Sequence, residues 1–148
     1  SDLFGNFLIK QVVEDLTSEF GNLKTFVTLS PIPLFQSWLK NEGAKITMKE
    51  NNNLSKLVAF YILNGKRDDG LPFDPVARFH LGNGAQVHAV HENADISEKG
   101  INQSQGMMVN YLYDPSMIGI NHEKFVSENI IPASNEIISL SKSVVKVE

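Results

Sequence analysis

The sequence predicts an α+β or α/β fold, with helices packed on a small, mostly antiparallel sheet. Three observations point there. Apolar residues recur at helical spacing in "FLIKQVVEDLTSEF" and again, more densely, in "LSKLVAFYIL". The short run "KTFVTL", β-branched and aromatic, reads as a buried strand, and "GMMVNYLYD" admits strand or helix and is read as strand. Asn83-Gly84 stands between two strand-like runs, a pattern that marks a hairpin.

The elements follow in order. Asn6 is placed as an N-cap, with Leu8, Ile9, Val12, Val13, Leu16 and Phe20 forming the apolar stripe behind it and Gly21 the stop. Lys24 to Leu29 is a strand. "LFQSWLKN" is a helix ending near Gly43, and Lys49 to Asn53, "KENNN", is the most linker-like stretch. Leu54 to Leu63 is the second apolar helix, and Gly65 to Asp74 is a loop. Pro75 to His91 is read as two strands about Asn83-Gly84, and "ADISEKG" leaves the second of them. Gly106 to Asp114 supplies a further strand, and Ser134 to Val145 an amphipathic helix. No internal repeat is visible.

Composition narrows the function. The chain has 148 residues, enough for one domain with a real core. Its net charge is −4 and its Lys and Arg are scattered, which argues against nucleic acid or a polybasic membrane surface as partner. There is no cysteine, hence no disulfide framework, zinc knuckle or thiol nucleophile. No apolar run reaches the roughly 20 residues of a membrane helix, and no signal-peptide pattern opens the chain. These features fit a reducing compartment, cytoplasmic in the first place and mitochondrial as the alternative.

The residues able to do chemistry are few. Ser30 lies in "TLSPIP", where two prolines hold the backbone. Ser before Pro is a common helix N-cap pair, and a serine at a strand's end can also meet a ligand. The stretch lacks the Gly-x-Ser-x-Gly of a hydrolase elbow. His80 is placed on a strand, sharing a face with Val76 and Arg78; it is either structural or a proton-transfer group near neutral pH. His88 and His91 would pair on a helix but diverge on a strand, so no metal is expected. Tyr111 and Tyr113 share a strand face, either as core or as phenols in a pocket. Arg78 and Lys99 are read as solvated or paired cations. Gly5 and Asn6 place free N–H groups at a helix start, where phosphate can bind.

Several of these pieces occur together in one known combination. "GNFLIKQVV", "TFVTLSPIPLFQSWL", "DPVARFHLGNGA" and "GMMVNYLYD", in this order from about Phe4 to Ser139, resemble the catalytic domain of malonyl-CoA decarboxylase. "LSPIP" and "FHLGNGA" are the specific parts. The resemblance implies a GNAT-like, acyl-CoA-binding fold. Residues 1–148 would be the later part of that domain, without its opening strands or the helical domain that precedes it. It implies Ser30 and His80 as the catalytic pair, Tyr113 as a further active-site residue, and Gly5 and Asn6 in the loop that holds the CoA pyrophosphate. Two positions depart from the family pattern. Leu3, beside Asp2, stands where an acidic residue is found, and Leu34 stands where "PGF" has glycine.

The implied reaction turns malonyl-CoA into acetyl-CoA and CO2, within fatty-acid and malonate metabolism. Loss of CO2 leaves a thioester enolate, so the substrate is its own electron sink and no cofactor beyond the CoA thioester is expected. In that chemistry Ser30 would orient the malonyl carboxylate and His80 would protonate the enolate. An acyl-CoA-dependent acyltransferase and a non-catalytic remnant of the domain are the alternatives. Homo-oligomerisation of the full-length protein is left open.

Overall fold

The structure, a computed structural model, describes residues 11, 14, 15, 25–48 and 53–147. Its elements are β1 (Phe26–Ser30), α1 (Phe35–Glu42), a 3₁₀ turn (Gly43–Lys45), β2 (Ile46–Met48), α2 (Leu54–Asn64) and α3 (Pro75–Gly82). There follow β3 (Gln86–His91), α4 (Glu98–Ser104), β4 (Met108–Tyr113), α5 (Ile118–Glu128), α6 (Asn135–Ser141) and β5 (Val144–Lys146). The expected Asn6 cap, its helix stripe and the Gly21 stop lie outside the described residues.

β4 is the centre of the main sheet, whose order is β1-β4-β3, with both pairings antiparallel. Its residues alternate, Val109, Tyr111 and Tyr113 being buried and Met108, Asn110 and Leu112 half-buried. That is the period-2 pattern of a strand with one face on a core, and it decides "GMMVNYLYD" in favour of strand. β1 pairs with β4 so that Phe26 faces Tyr113, Thr28 faces Tyr111 and Ser30 faces Val109. A second antiparallel pair joins β2 to β5. The predicted mixed α/β class, with mostly antiparallel strands flanked by helices, is the observed one.

Three local expectations are corrected. Pro75 to Gly82 is a helix and not a strand. Asp74 caps it, accepting from the Ala77 N–H at 2.8 Å, and Pro75 occupies the first turn, where its missing N–H costs nothing. Asn83-Gly84 is therefore a helix exit and not a hairpin. Gly84 turns the chain at φ +90, and a Cβ there would lie 2.5 Å from the Ile118 carbonyl oxygen. The tail holds a shorter helix than expected: Ser134 caps Ile137 N–H at 3.2 Å, α6 ends at Ser141, and β5 then pairs with β2. "ADISEKG" likewise opens α4, where Ser97 accepts from the Gly100 N–H at 3.0 Å.

The core lies between the main sheet and α1, α2 and α3. Phe35, Trp38, Tyr61 and Phe73 form an aromatic cluster, with Tyr61 and Trp38 centroids 5.0 Å apart. Burying a Phe or comparable apolar side chain contributes roughly 1.5–3 kcal/mol, so this cluster is a main source of stability. Tyr61 donates to buried Asp74 at 3.1 Å, which ties α2 to the cap of α3. Burial pushes the Asp74 carboxyl up to about 6, against the Ala77 N–H, the Tyr61 hydroxyl and Arg78, which favour its charge. Among the described residues no helix is long and apolar enough to cross a membrane.

Candidate active site

Ser30 ends β1, and the next residues explain its fixed backbone. Pro31 and Pro33 restrict φ, while Ile32 between them is buried. The helix that follows begins after Leu34, which makes no side-chain cap. Ser30 is therefore not the helix cap that its proline neighbour implied, and its hydroxyl is turned to other partners. Oγ lies 3.0 Å from His80 Nε2 and 3.3 Å from Thr28 Oγ1.

His80 reaches Ser30 from α3, not from a strand. The first residue of this pair is at a strand end and the second on the last turn of a helix, 50 positions apart in sequence. The other ring nitrogen, Nδ1, is 2.5 Å from the Tyr113 hydroxyl. Tyr111 lies under the imidazole, with centroids 4.5 Å apart and an interplanar angle of 20°. Tyr113 in turn stacks on Phe26 at 4.9 Å. One face of the sheet thus presents Phe26, Thr28 and Ser30 from β1 and Tyr111 and Tyr113 from β4 toward α3.

The cluster is dry. Ser30 is 5% exposed, His80 7% and Tyr113 0%. Burial lowers the imidazole to about 4, so His80 is neutral at pH 7 in the unliganded protein. This corrects the expectation of a donor poised near neutrality: the low-dielectric setting penalises the imidazolium, and no carboxylate among the described residues compensates it. Burial raises the Tyr113 phenol above its ordinary range, offset in part by the influence of the Asn83 amide. Tyr111 is pushed well above that range for the same reason, with the negative field of Asp74 adding to it. Both phenols are protonated at neutral pH.

The sequence-predicted residues divide clearly. Ser30, His80 and Tyr113 converge, and Tyr111 forms the floor. Gly5 and Asn6 lie outside the described residues. His88 sits in a bulge of β3, between Val87 opposite Tyr111 and Ala89 opposite Asn110. His91 is exposed and bonds Asn110 through Nε2. Among the described residues no group of three His, Asp or Glu side chains is arranged to hold a metal. Arg78 is half-buried, donates through Nη1 to the Pro72 and Phe73 carbonyls at 2.8 and 3.0 Å, and its charge acts on Asp74. A cavity of about 840 Å³ is bounded by Trp38, Lys66, Arg67 and Phe73 among others and includes none of the converging residues.

Sequence reasoning missed Thr28, Asp74 and Asn83. Thr28 could have been found, because strand alternation puts it on the face of Ser30. Asp74 was legible as the cap of an "Asp-Pro" helix start, had "VARFHL" been read at helical rather than strand period. Asn83 was read only as a turn residue.

The model of the malonyl-CoA decarboxylase C-terminal domain family matches residues 3–53 and 42–147. The chain belongs to that family. The mouse relative, "Malonyl-CoA decarboxylase, mitochondrial", is 33% identical over 92% of this chain, and the rat protein of the same name is likewise 33% identical. The structure of malonyl-CoA decarboxylase from Rhodopseudomonas palustris is 40% identical and superposes with a TM-score of 0.83 over 93% of this chain. That from Agrobacterium vitis is 37% identical, with a TM-score of 0.81. This chain spans 37% of the length of the mouse relative and 38% of the Rhodopseudomonas chain. The family expected from "LSPIP" and "FHLGNGA" is thus the one found.

Proposed function

We propose that this chain contributes the catalytic centre of a malonyl-CoA decarboxylase, converting malonyl-CoA to acetyl-CoA and CO2. Membership in the family supports the substrate and reaction. The observation that supports the residue roles is the 3.0 Å approach of Ser30 Oγ to His80 Nε2 in a buried setting, with Tyr113 on the other ring nitrogen.

The chemistry starts from the malonyl thioester anion. Its C–C bond to the carboxylate breaks, CO2 leaves, and the electron pair is taken up as the thioester enolate. A proton then reaches the α-carbon. Ser30 holds the carboxylate in the orientation that places the breaking bond in line with the thioester π-system. His80, neutral in the free protein, acquires its proton when the malonyl carboxylate lies beside it, because an adjacent anion favours the imidazolium. Nε2 gives that proton to the carbon that becomes the methyl group, and Tyr113 holds Nδ1 throughout. The net reaction consumes one proton, and the thioester carbonyl replaces any cofactor as electron sink. Gly5 and Asn6 would hold the CoA pyrophosphate at their helix start. The cytoplasm is the first compartment proposed, and the mitochondrion, which the rodent relatives carry in their names, is the second.

The test is product analysis on a protein containing this whole chain. Malonyl-CoA labelled in the free carboxyl should release labelled CO2 and leave acetyl-CoA with no acceptor present. Acyl transfer that depends on an added acceptor, with no CO2 released, overturns the reading.

A further inference from the structure

Thr28 stands two residues before Ser30 on β1, so strand alternation puts both side chains on the sheet face turned toward α3. Their hydroxyl oxygens are 3.3 Å apart. That is longer than the usual O–H···O contact of about 2.7–2.8 Å, so the two hydroxyls stand side by side more than they bind each other. Ser30 has a second neighbour in His80 Nε2 at 3.0 Å, whereas Ser30 is the one partner of the Thr28 hydroxyl among the described residues. The Thr28 backbone is held twice: it pairs with Tyr111 of β4, and its carbonyl accepts from Asn110 Nδ2 at 3.0 Å. Branching at Cβ restricts χ1 as well. A strand position of this kind calls for a β-former and not for a hydroxyl, and valine would fill the same shape. Of the two residues Thr28 is the more exposed, being half-buried where Ser30 is buried.

We propose that Thr28 is a second contact for the malonyl carboxylate, its Oγ1–H donating to one carboxylate oxygen while Ser30 Oγ–H donates to the other. The inference rests on the decarboxylase reading for its substrate. A carboxylate accepts at both oxygens, and adjacent hydroxyls on one strand face can reach both. One hydrogen bond leaves the carboxylate free to pivot about the bonded oxygen. The second contact fixes the position of the carbon that departs. Neutral donors also suit a charge that must leave. Decarboxylation moves the negative charge from the carboxylate to the thioester enolate, so a group that grips the carboxylate more tightly than the transition state raises the barrier. A guanidinium or ammonium forms the stronger, charge-assisted bond, whereas two hydroxyls orient the group and hold its charge less firmly. The neighbours of Ser30 on this face are Thr28 and His80, with Tyr111 and Tyr113 against the imidazole. Among the described residues no lysine or arginine side chain is bonded to either hydroxyl. An acyl-CoA that lacks the free carboxylate cannot use the pair, so the two hydroxyls would also select the substrate.

The test compares Thr28→Val, which keeps the shape and removes the hydroxyl, with Thr28→Ser, which keeps the hydroxyl, in a protein containing this whole chain. CO2 release from malonyl-CoA gives kcat/KM. Competition by acetyl-CoA, which has no carboxylate to grip, gives an inhibition constant. Thr28→Val should lower kcat/KM by about 10- to 100-fold, the scale of one hydrogen bond to a charged group, and leave the acetyl-CoA constant within about twofold. Thr28→Ser should keep kcat/KM within about threefold of the unsubstituted value, since it retains the donor. A purely structural threonine would move the two constants together or move neither. Thr28→Ala carries the same comparison should the valine variant not fold. An unchanged kcat/KM in folded Thr28→Val overturns the inference, as does an equal loss of malonyl-CoA and acetyl-CoA affinity, or a Thr28→Ser as impaired as Thr28→Val. Any of these in a protein that still releases CO2 refutes this inference alone. An unsubstituted protein that binds malonyl-CoA and releases no CO2 refutes the decarboxylase reading alone, because the preference for malonyl-CoA over acetyl-CoA in binding, kept or lost in Thr28→Val, still decides the contact.

Discussion

Replacing Ser30 by Ala separates a structural serine from a working one. The hydroxyl lies 3.0 Å from His80 Nε2 and 3.3 Å from Thr28 Oγ1, and it caps no helix. Removing it leaves a buried imidazole nitrogen without its partner, a cost of about 1–3 kcal/mol. The cavity left by one oxygen adds little, and the two prolines still hold the backbone. Stability should therefore fall by that amount, read as a lower urea midpoint with an unchanged slope. Turnover should fall further than the lost folding can explain, by about 10²-fold, because the carboxylate loses the group that fixes its angle. Both quantities are to be measured on one sample, with CO2 release at saturating malonyl-CoA normalised to folded protein. Full turnover per folded molecule, at any stability, would refute the catalytic role and leave Ser30 as a buried hydrogen-bonding group.

Three further outcomes are expected. His80→Ala should cut turnover by roughly 10²- to 10⁴-fold, the scale of losing a general acid, and leave CoA affinity near its original value in a binding titration. Tyr113→Phe keeps the stack on Phe26, so circular dichroism should be unchanged, stability should drop by about 1 kcal/mol, and turnover should fall modestly. Stability against pH should show two opposed slopes. His80 falls from 6.5 to about 4 on folding, so the unfolded chain binds its proton first, and about 3 kcal/mol is lost on acidification through that window. Asp74 rises from 3.8 to about 6, so the folded chain binds its proton first and gains about 3 kcal/mol over nearly the same window. Asp74→Asn should therefore steepen the acid loss in a melting series from pH 7 to 4, and a curve parallel to that of the unsubstituted protein would contradict these assignments.

Most of the fold was legible where one signal dominated. The apolar run of α2 fits a helix, "GMMVNYLYD" admits strand or helix and is read as strand, and both elements lie where expected. The failure at "PVARFHLG" has a definite cause. The run is too short for periodicity to decide, and Asn-Gly favours a hairpin wherever strands flank it. Asp74 and Pro75 outweighed that signal, since a capped proline start commits the backbone to helix. The error changed the route to the site and not its membership. On a strand, His80 would have shared a sheet with Ser30; on α3 it is delivered across the sheet face. Ser30, His80 and Tyr113 themselves came from the family motifs, because no local pattern relates positions 50 and 33 residues apart. The imidazole's low basicity was invisible, because it depends on burial by Tyr111, Phe79 and the sheet, which only the folded chain assembles.

On the proposed decarboxylase reading, that low basicity bears on how one site could both accept the substrate and release the product. An imidazole held near 4 stores no proton at neutral pH, so the empty centre has no charge to attract a stray anion or to leak acid. On the proposed reaction, the malonyl carboxylate brings the negative charge that makes protonation favourable, and a buried setting magnifies that pairing because solvent does not screen it. Decarboxylation then releases neutral CO2 and moves the negative charge onto the thioester enolate. The imidazolium is left beside an enolate, which needs its proton, and afterwards beside a neutral thioester, which gives it no support. Proton transfer to carbon and the return of His80 to neutrality are thus driven by the same desolvation that depresses its pKa. Acetyl-CoA, lacking the carboxylate, cannot recharge the histidine, so burial favours turnover over product retention. A more exposed histidine with an ordinary pKa would be about a quarter charged at pH 7 before substrate arrived and would lose this coupling. On that proposal, the aromatic floor and wall formed by Tyr111, Tyr113 and Phe79 would serve the chemistry through the solvent they exclude, as well as through the one hydroxyl that touches the ring.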